Sequence, residues 1–126
     1  MEVINIKGTD DTPNVILDKA SGQFELSGRS LPEDVNQFYG SILDWIDAYA
    51  ADPLDRTEFN FKLEYFNTAS SKIILDILLK FEEIVENGKE VIIKWHYHED
   101  EEDMLEAGEE YSDIVEIPFD YIVYTD

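Results

Sequence analysis

Glu58-Phe59-Asn60-Phe61-Lys62-Leu63-Glu64-Tyr65-Phe66, running into Asn67-Thr68-Ala69-Ser70-Ser71-Lys72 and then Ile73-Ile74, decides the fold. Phe59, Phe61, Leu63 and Tyr65 alternate with Asn60, Lys62 and Glu64. A period of two sends these sets to opposite faces of a strand. After the polar turn the period becomes helical: Ile73, Ile74, Ile77, Leu78, Phe81, Ile84 and Val85 form one apolar stripe, and Asn87-Gly88 stops it. Glu90 to His98 (EVIIKWHYH) is again β-rich. Strand, helix and strand in about 40 residues imply a parallel crossover.

Upstream, Val3 to Lys7 alternates as a strand. Asn14 to Asp18 follows a Thr-Pro turn signal as a second, and Gln23 to Ser27 follows Ser21-Gly22 as a third, which makes an opening meander. Ser30-Leu31-Pro32-Glu33 has capping-box spacing, with Pro32 in the first turn where its missing donor does no harm. The helix it opens carries Val35, Phe38, Ile42, Trp45 or Ile46, and Tyr49, and ends at Asp52-Pro53. Downstream, the acidic stretch Glu99 to Glu110 is helical from about Glu101, and Ile117 to Tyr124 is a final strand. The expected fold is α/β: a mixed sheet of about five to six strands with three helices packed on it. Its 126 residues fit a single domain, 1–126, with no linker and no internal repeat.

Charge narrows the function classes. Nine Lys and Arg stand against 30 Asp and Glu, a net charge of −21. Such a surface repels phosphate backbones and anionic lipid heads and draws in basic protein surfaces, so no nucleic acid is expected as a partner. No apolar run approaches membrane-span length, and the alternating N-terminal residues have no signal-peptide pattern, so a cytoplasmic protein is expected. With no cysteine, disulfides and thiolate-held zinc are excluded.

The turn 67–72 is the leading candidate site, because sites in α/β sheets collect at the carboxyl ends of strands. Thr68 either follows an Asn67 cap as the first helical residue or is itself the cap. An ordinary helix cap accounts for Asn, Thr and Ser at these positions. A phosphate on Thr68 would also be tolerated there, by the free amides and positive dipole end, with Lys72 one turn on. His96 and His98 share a strand face near carboxylates and form a second candidate, for a metal, without a third ligand at diagnostic spacing. The acidic run Glu99 to Asp103 lacks the glycine and spacing of a calcium loop and is expected to be a solvated helix face. Ser70 and Ser71 lack the flanking glycines of a nucleophile elbow, no glycine-rich phosphate loop exists, and no enzymatic signature or cofactor is expected.

Leu63-Glu64-Tyr65-Phe66-Asn67-Thr68-Ala69-Ser70-Ser71-Lys72, with Trp95-His96-Tyr97, the acidic stretch from Asp100 to Glu110 and Pro118-Phe119, resembles the SiaC family of bacterial regulatory phosphoproteins. Gly28-Arg29-Ser30-Leu31-Pro32-Glu33, Phe38-Tyr39 and Trp45 fit the same pattern, so the resemblance spans nearly the whole chain. It implies a fold similar to anti-sigma-factor antagonists (STAS or SpoIIAA-like). It also implies a protein kinase that phosphorylates Thr68 and a PP2C-type phosphatase that reverses this. The unphosphorylated form would bind and activate a diguanylate cyclase, raising cyclic di-GMP, with no catalysis by the regulator itself. Tyr65, Asn67, Thr68, Ser70, Ser71 and Lys72 are then the candidate partner-contacting residues. A related switch acting on transcription, as an anti-sigma-factor antagonist, is the alternative output.

Overall fold

Alternating sequence in β1 (Ile4–Ile6), β2 (Asn14–Asp18) and β3 (Gln23–Ser30) makes an antiparallel meander, and three crossover helices then add β4, β5 and β6 in parallel. The computed structural model describes residues 1–125. The remaining elements are α1 (Val35–Ala51), β4 (Arg56–Phe66), α2 (Thr68–Glu86), β5 (Glu90–His98), α3 (Glu102–Ile114) and β6 (Phe119–Tyr124). The six strands lie in sequence order, and the sheet is the expected mixed one with three helices packed on it. Each crossover advances the sheet in one direction, and the helices share their core with one face of it, as connections of the usual right hand require.

The covered face carries the core. Val15, Leu17, Phe24, Leu26, Phe59, Phe61, Leu63, Val91, Ile93 and Trp95 meet the helix stripes, with Ile42, Ile46 and Tyr49 from α1 and Ile74, Ile77, Leu78 and Phe81 from α2. The other face is polar and cross-linked by charge: Lys62 meets Glu25 at 2.8 Å, and Lys94 bridges Glu58 at 3.4 Å and Asp120 at 3.0 Å. These pairs are open to solvent, which screens them, so they add little to stability. They balance charge on the open face more than they hold the fold.

The boundary between β3 and α1 moves most from the expected one. The Ser30-Leu31-Pro32-Glu33 box does not open α1. Ser30 is the last residue of β3, paired with Phe66 and fully buried, while Asp34 is the cap, its Oδ1 accepting from the Gln37 amide at 3.1 Å. Asp34 and Gln37 repeat the capping-box spacing four residues later. The parallel ladder with β4 pulls β3 past the expected end at Ser27. Gly28 makes this possible: its φ of +92° takes the register shift between Gly28 and Arg29, which a side chain would resist. Similarly, β6 begins after Pro118, which has no amide to donate but whose carbonyl accepts from the Ile93 amide at 2.9 Å.

Candidate functional site

The carboxyl ends of β3 and β4 and the first turn of α2 form the candidate site. Of the two cap assignments open at the sequence level, Asn67 is correct: its Oδ1 accepts from the Ser70 amide at 2.8 Å, and its carbonyl accepts from the Ser71 amide at 2.9 Å. Thr68 is therefore the first helical residue, and it is exposed. Its hydroxyl has no capping duty, so it is sterically and chemically available. Replacing Asn67 by alanine should cost about 1 kcal/mol, since a helix amide loses its acceptor. Urea unfolding checks this, and an unchanged midpoint would refute the cap's role.

The six predicted residues do not share one environment. Tyr65 and Lys72 are exposed beside Thr68, Asn67 and Ser71 are half-buried, and Ser70 is fully buried. Ser70 Oγ donates to the Ser30 carbonyl at 3.0 Å, and Ser71 Oγ donates to the Thr68 carbonyl at 2.6 Å. Ser70 is thus removed from the surface a partner could touch, a correction to its place among the contact candidates. The alternation of β4 put Tyr65 beside Phe59, Phe61 and Leu63, but the register shift that pairs Leu63 with Gly28 and Tyr65 with Arg29 skips Glu64, so Phe66 packs on the core instead and Tyr65 stays 48 % exposed.

Two of the cations at this turn stand outside the ion pairs. Lys19, Arg56, Lys62, Lys80, Lys89 and Lys94 each pair with a carboxylate. Among the described residues Lys7, Arg29 and Lys72 do not, and the last two flank the turn. The Arg29 guanidinium lies 5.5 Å from the centre of the Tyr65 ring, and its Nε donates to the Asp10 carbonyl at 3.2 Å. Sequence spacing missed Arg29 because its approach depends on β3 and β4 being neighbours, with Arg29 opposite Tyr65.

An apolar groove lies between α2 and α3, lined by Phe66, Leu75, Ala107, Tyr111 and Ile114, with Glu110 and Lys72, one helical turn on from Thr68, at its polar positions. Tyr111 spans it and donates its hydroxyl proton to the Ser71 carbonyl at 2.8 Å. Burial, with help from Glu110, raises the Tyr111 pKa, so the phenol keeps that proton. The acidic helix is therefore not only a solvated face: Met104, Gly108 and Tyr111 are buried against the sheet.

The histidines lead elsewhere. His96 Nε2 donates to Asn60 Oδ1 at 3.0 Å on the open face, whereas His98 Nδ1 accepts from the Asp100 amide at 3.1 Å and its ring meets Tyr124 edge-on. Among the described residues no three His, Asp or Glu side chains gather where they could hold a metal ion. Burial, then Lys62, lowers the His96 pKa from its usual 6.5. The unfolded chain therefore takes up this proton more readily than the folded one, and stability is lost as pH falls below about 6.5. We expect a His96→Gln variant to match the wild type at neutral pH and to lose less stability on acidification toward pH 5. Parallel losses in urea titrations would count against it.

Known proteins share this fold. The pattern of the SiaC family of regulatory phosphoproteins matches residues 6–124. An uncharacterised protein of Pseudomonas aeruginosa strain UCBPP-PA14 is 34% identical over 119 residues, 94% of each chain. SiaC of Pseudomonas aeruginosa superposes with a TM-score of 0.89 at 31% identity, over 98% of this chain and 100% of that one. The crystal structure of the diguanylate cyclase SiaD in complex with its activator SiaC, from the same organism, holds a chain similar at a TM-score of 0.90 and 32% identity, over 96% of this chain and 99% of that one. Fold and likeness define the class: a regulatory α/β protein, not an enzyme. The chain belongs to the SiaC family of regulatory phosphoproteins. Among the described residues no helix is long and apolar enough to cross a membrane.

Proposed function

We propose that this protein is a cytosolic regulator switched by reversible phosphorylation of Thr68, and that its unphosphorylated form binds and activates a diguanylate cyclase. The carrying observation is the exposed Thr68 at the first position of a helix whose cap is already supplied by Asn67. A protein kinase adds the phosphate and a PP2C-type phosphatase removes it. At this position the added charge, about −2, lies near the positive end of the helix dipole and one turn from Lys72, so the fold tolerates it. On the surface, the same hydrated dianion stands one helical turn from Lys72 of the α2–α3 groove, where covering it with a partner would cost desolvation. Partner binding is thereby opposed without unfolding. The cyclase as output is supported by the likeness to the SiaC chain bound to SiaD.

Peptide mass spectrometry of protein isolated from its native cell tests the switch. Phosphate on Thr68 in part of the population is the expected result. Its absence under every growth condition would leave Thr68 as an ordinary helix residue. Affinity capture with unphosphorylated protein should recover a diguanylate cyclase. Recovery of an anti-sigma kinase instead would move the output to transcription.

A further inference from the structure

Beneath the Thr68 turn lies a chain of buried hydroxyls. Tyr39 Oη on α1 is 2.6 Å from Ser30 Oγ at the end of β3, and Ser30 Oγ donates to Ser70 Oγ in the first turn of α2 at 2.9 Å. Ser70 Oγ in turn donates to the Ser30 carbonyl at 3.0 Å. Each hydroxyl has one proton. Since Ser30 gives its proton to Ser70, Tyr39 must be the donor to Ser30. The relay runs in one direction, from α1 through β3 to α2, and all three residues are 0 % exposed. Burial pushes the Tyr39 pKa up to about 12, so its proton is present throughout the physiological range.

Packing alone does not call for these groups, because apolar residues of the same shape would fill the space without a desolvation cost. A fully satisfied buried network adds a fixed geometry. Here it fixes the one turn that carries Thr68, which Asn67 caps and which Tyr111 ties to α3 through the Ser71 carbonyl. The same helix α1 offers an internal comparison. Tyr49 Oη lies 2.7 Å from Thr57 Oγ1, equally buried, near the start of β4 at the opposite end of the sheet.

We propose that Ser30, Tyr39 and Ser70 are positioning residues that hold the Thr68 turn ready-formed for the kinase that modifies it. The proposal rests on Thr68 being the phosphate acceptor. The kinase reads a helix start already in place, and the relay removes the cost of ordering that start on each encounter.

Tyr39→Phe and Tyr49→Phe, each in the full chain, separate this role from plain stability. Tyr39→Phe deletes the bond to Ser30, and Tyr49→Phe deletes the bond to Thr57 and the acceptor of the Leu54 amide at 3.2 Å, so the control should lose at least as much resistance to urea. Only Tyr39→Phe should speed hydrogen exchange of the Ser70 and Ser71 amides, by about tenfold, the equivalent of one lost hydrogen bond. Only Tyr39→Phe should lower kcat/KM for Thr68 phosphorylation by the purified cognate kinase with ATP, chiefly through a higher KM. Where Tyr39→Phe does not fold, Ser30→Ala is read in the same way. The proposal is overturned if Tyr49→Phe reproduces both changes, or if exchange or phosphorylation in Tyr39→Phe matches the wild type. A wild-type chain that takes no phosphate on Thr68 overturns the regulatory reading and this proposal with it, while exchange still reports whether the relay holds the turn.

Discussion

Thr68→Ala should fold as well as the wild type, accept no phosphate from the kinase and remain bound to its output partner under conditions that release the native protein. The fold survives because Asn67, not Thr68, satisfies the helix amide, and because Thr68 is exposed. Alanine also has the higher helix propensity, so stability should stay within about 0.5 kcal/mol of the wild type. Control is lost because no other hydroxyl in the turn can replace it. Ser70 is sealed in the core, and Ser71 Oγ is committed to the Thr68 carbonyl at 2.6 Å. A kinase assay with radiolabelled ATP, followed by co-purification with the cyclase, gives the readout. If Thr68→Ala incorporates phosphate as fast as the native chain, the acceptor lies elsewhere and the switch assigned to this turn fails.

Gly108→Val should be the most damaging single change on α3. A Cβ at Gly108 would lie 2.6 Å from Trp95 Cδ1 and 2.7 Å from Nε1, well inside contact distance. The indole has little freedom to yield. It is 1% exposed, its Nε1 donates to the Met104 carbonyl at 2.8 Å, and the Phe61, Tyr111 and Phe119 rings lie 5.3, 5.7 and 6.3 Å away. Overpacking of this kind costs about 3 kcal/mol, roughly 10 °C in Tm for a chain of this size. Gly108→Ala should cost less, because the gain of about 1 kcal/mol in helix propensity offsets part of the clash. The valine variant should also lift α3 and break the Tyr111 bond to Ser71, loosening the groove beside Thr68. Calorimetry with tryptophan fluorescence checks both effects. Wild-type Tm in Gly108→Val would mean that α3 does not press on Trp95 as described.

Much of this molecule can be read directly from its sequence. The alternation of Phe59, Phe61 and Leu63 and the stripe from Ile73 to Val85 set β4 and α2, since each period matches one backbone geometry and one buried face. Strand and helix order then allowed few topologies, and the mixed sheet with three helices followed. Thr68 was legible because a strand, a polar turn and a helix meet there. The parts that were not legible depend on residues distant in sequence. Ser30 reads as a helix cap by local spacing, yet pairing with Phe66 carries it into β3, because a ladder bond across the sheet overrides a short-range motif. Ser70 looks like a surface hydroxyl until Ser30 and Tyr39 close over it. Arg29 reaches Tyr65, and Tyr111 reaches Ser71, only once neighbouring strands and the α2–α3 packing bring them together. The sequence by itself therefore determined the elements and their order, consequences of local periodicity, and it pointed to Thr68 through the turn's position and the family resemblance. Only the tertiary structure decided which hydroxyls are buried and which cations face the turn, because hydrogen bonds and charge pairs depend on distances in space that separation along the chain does not encode.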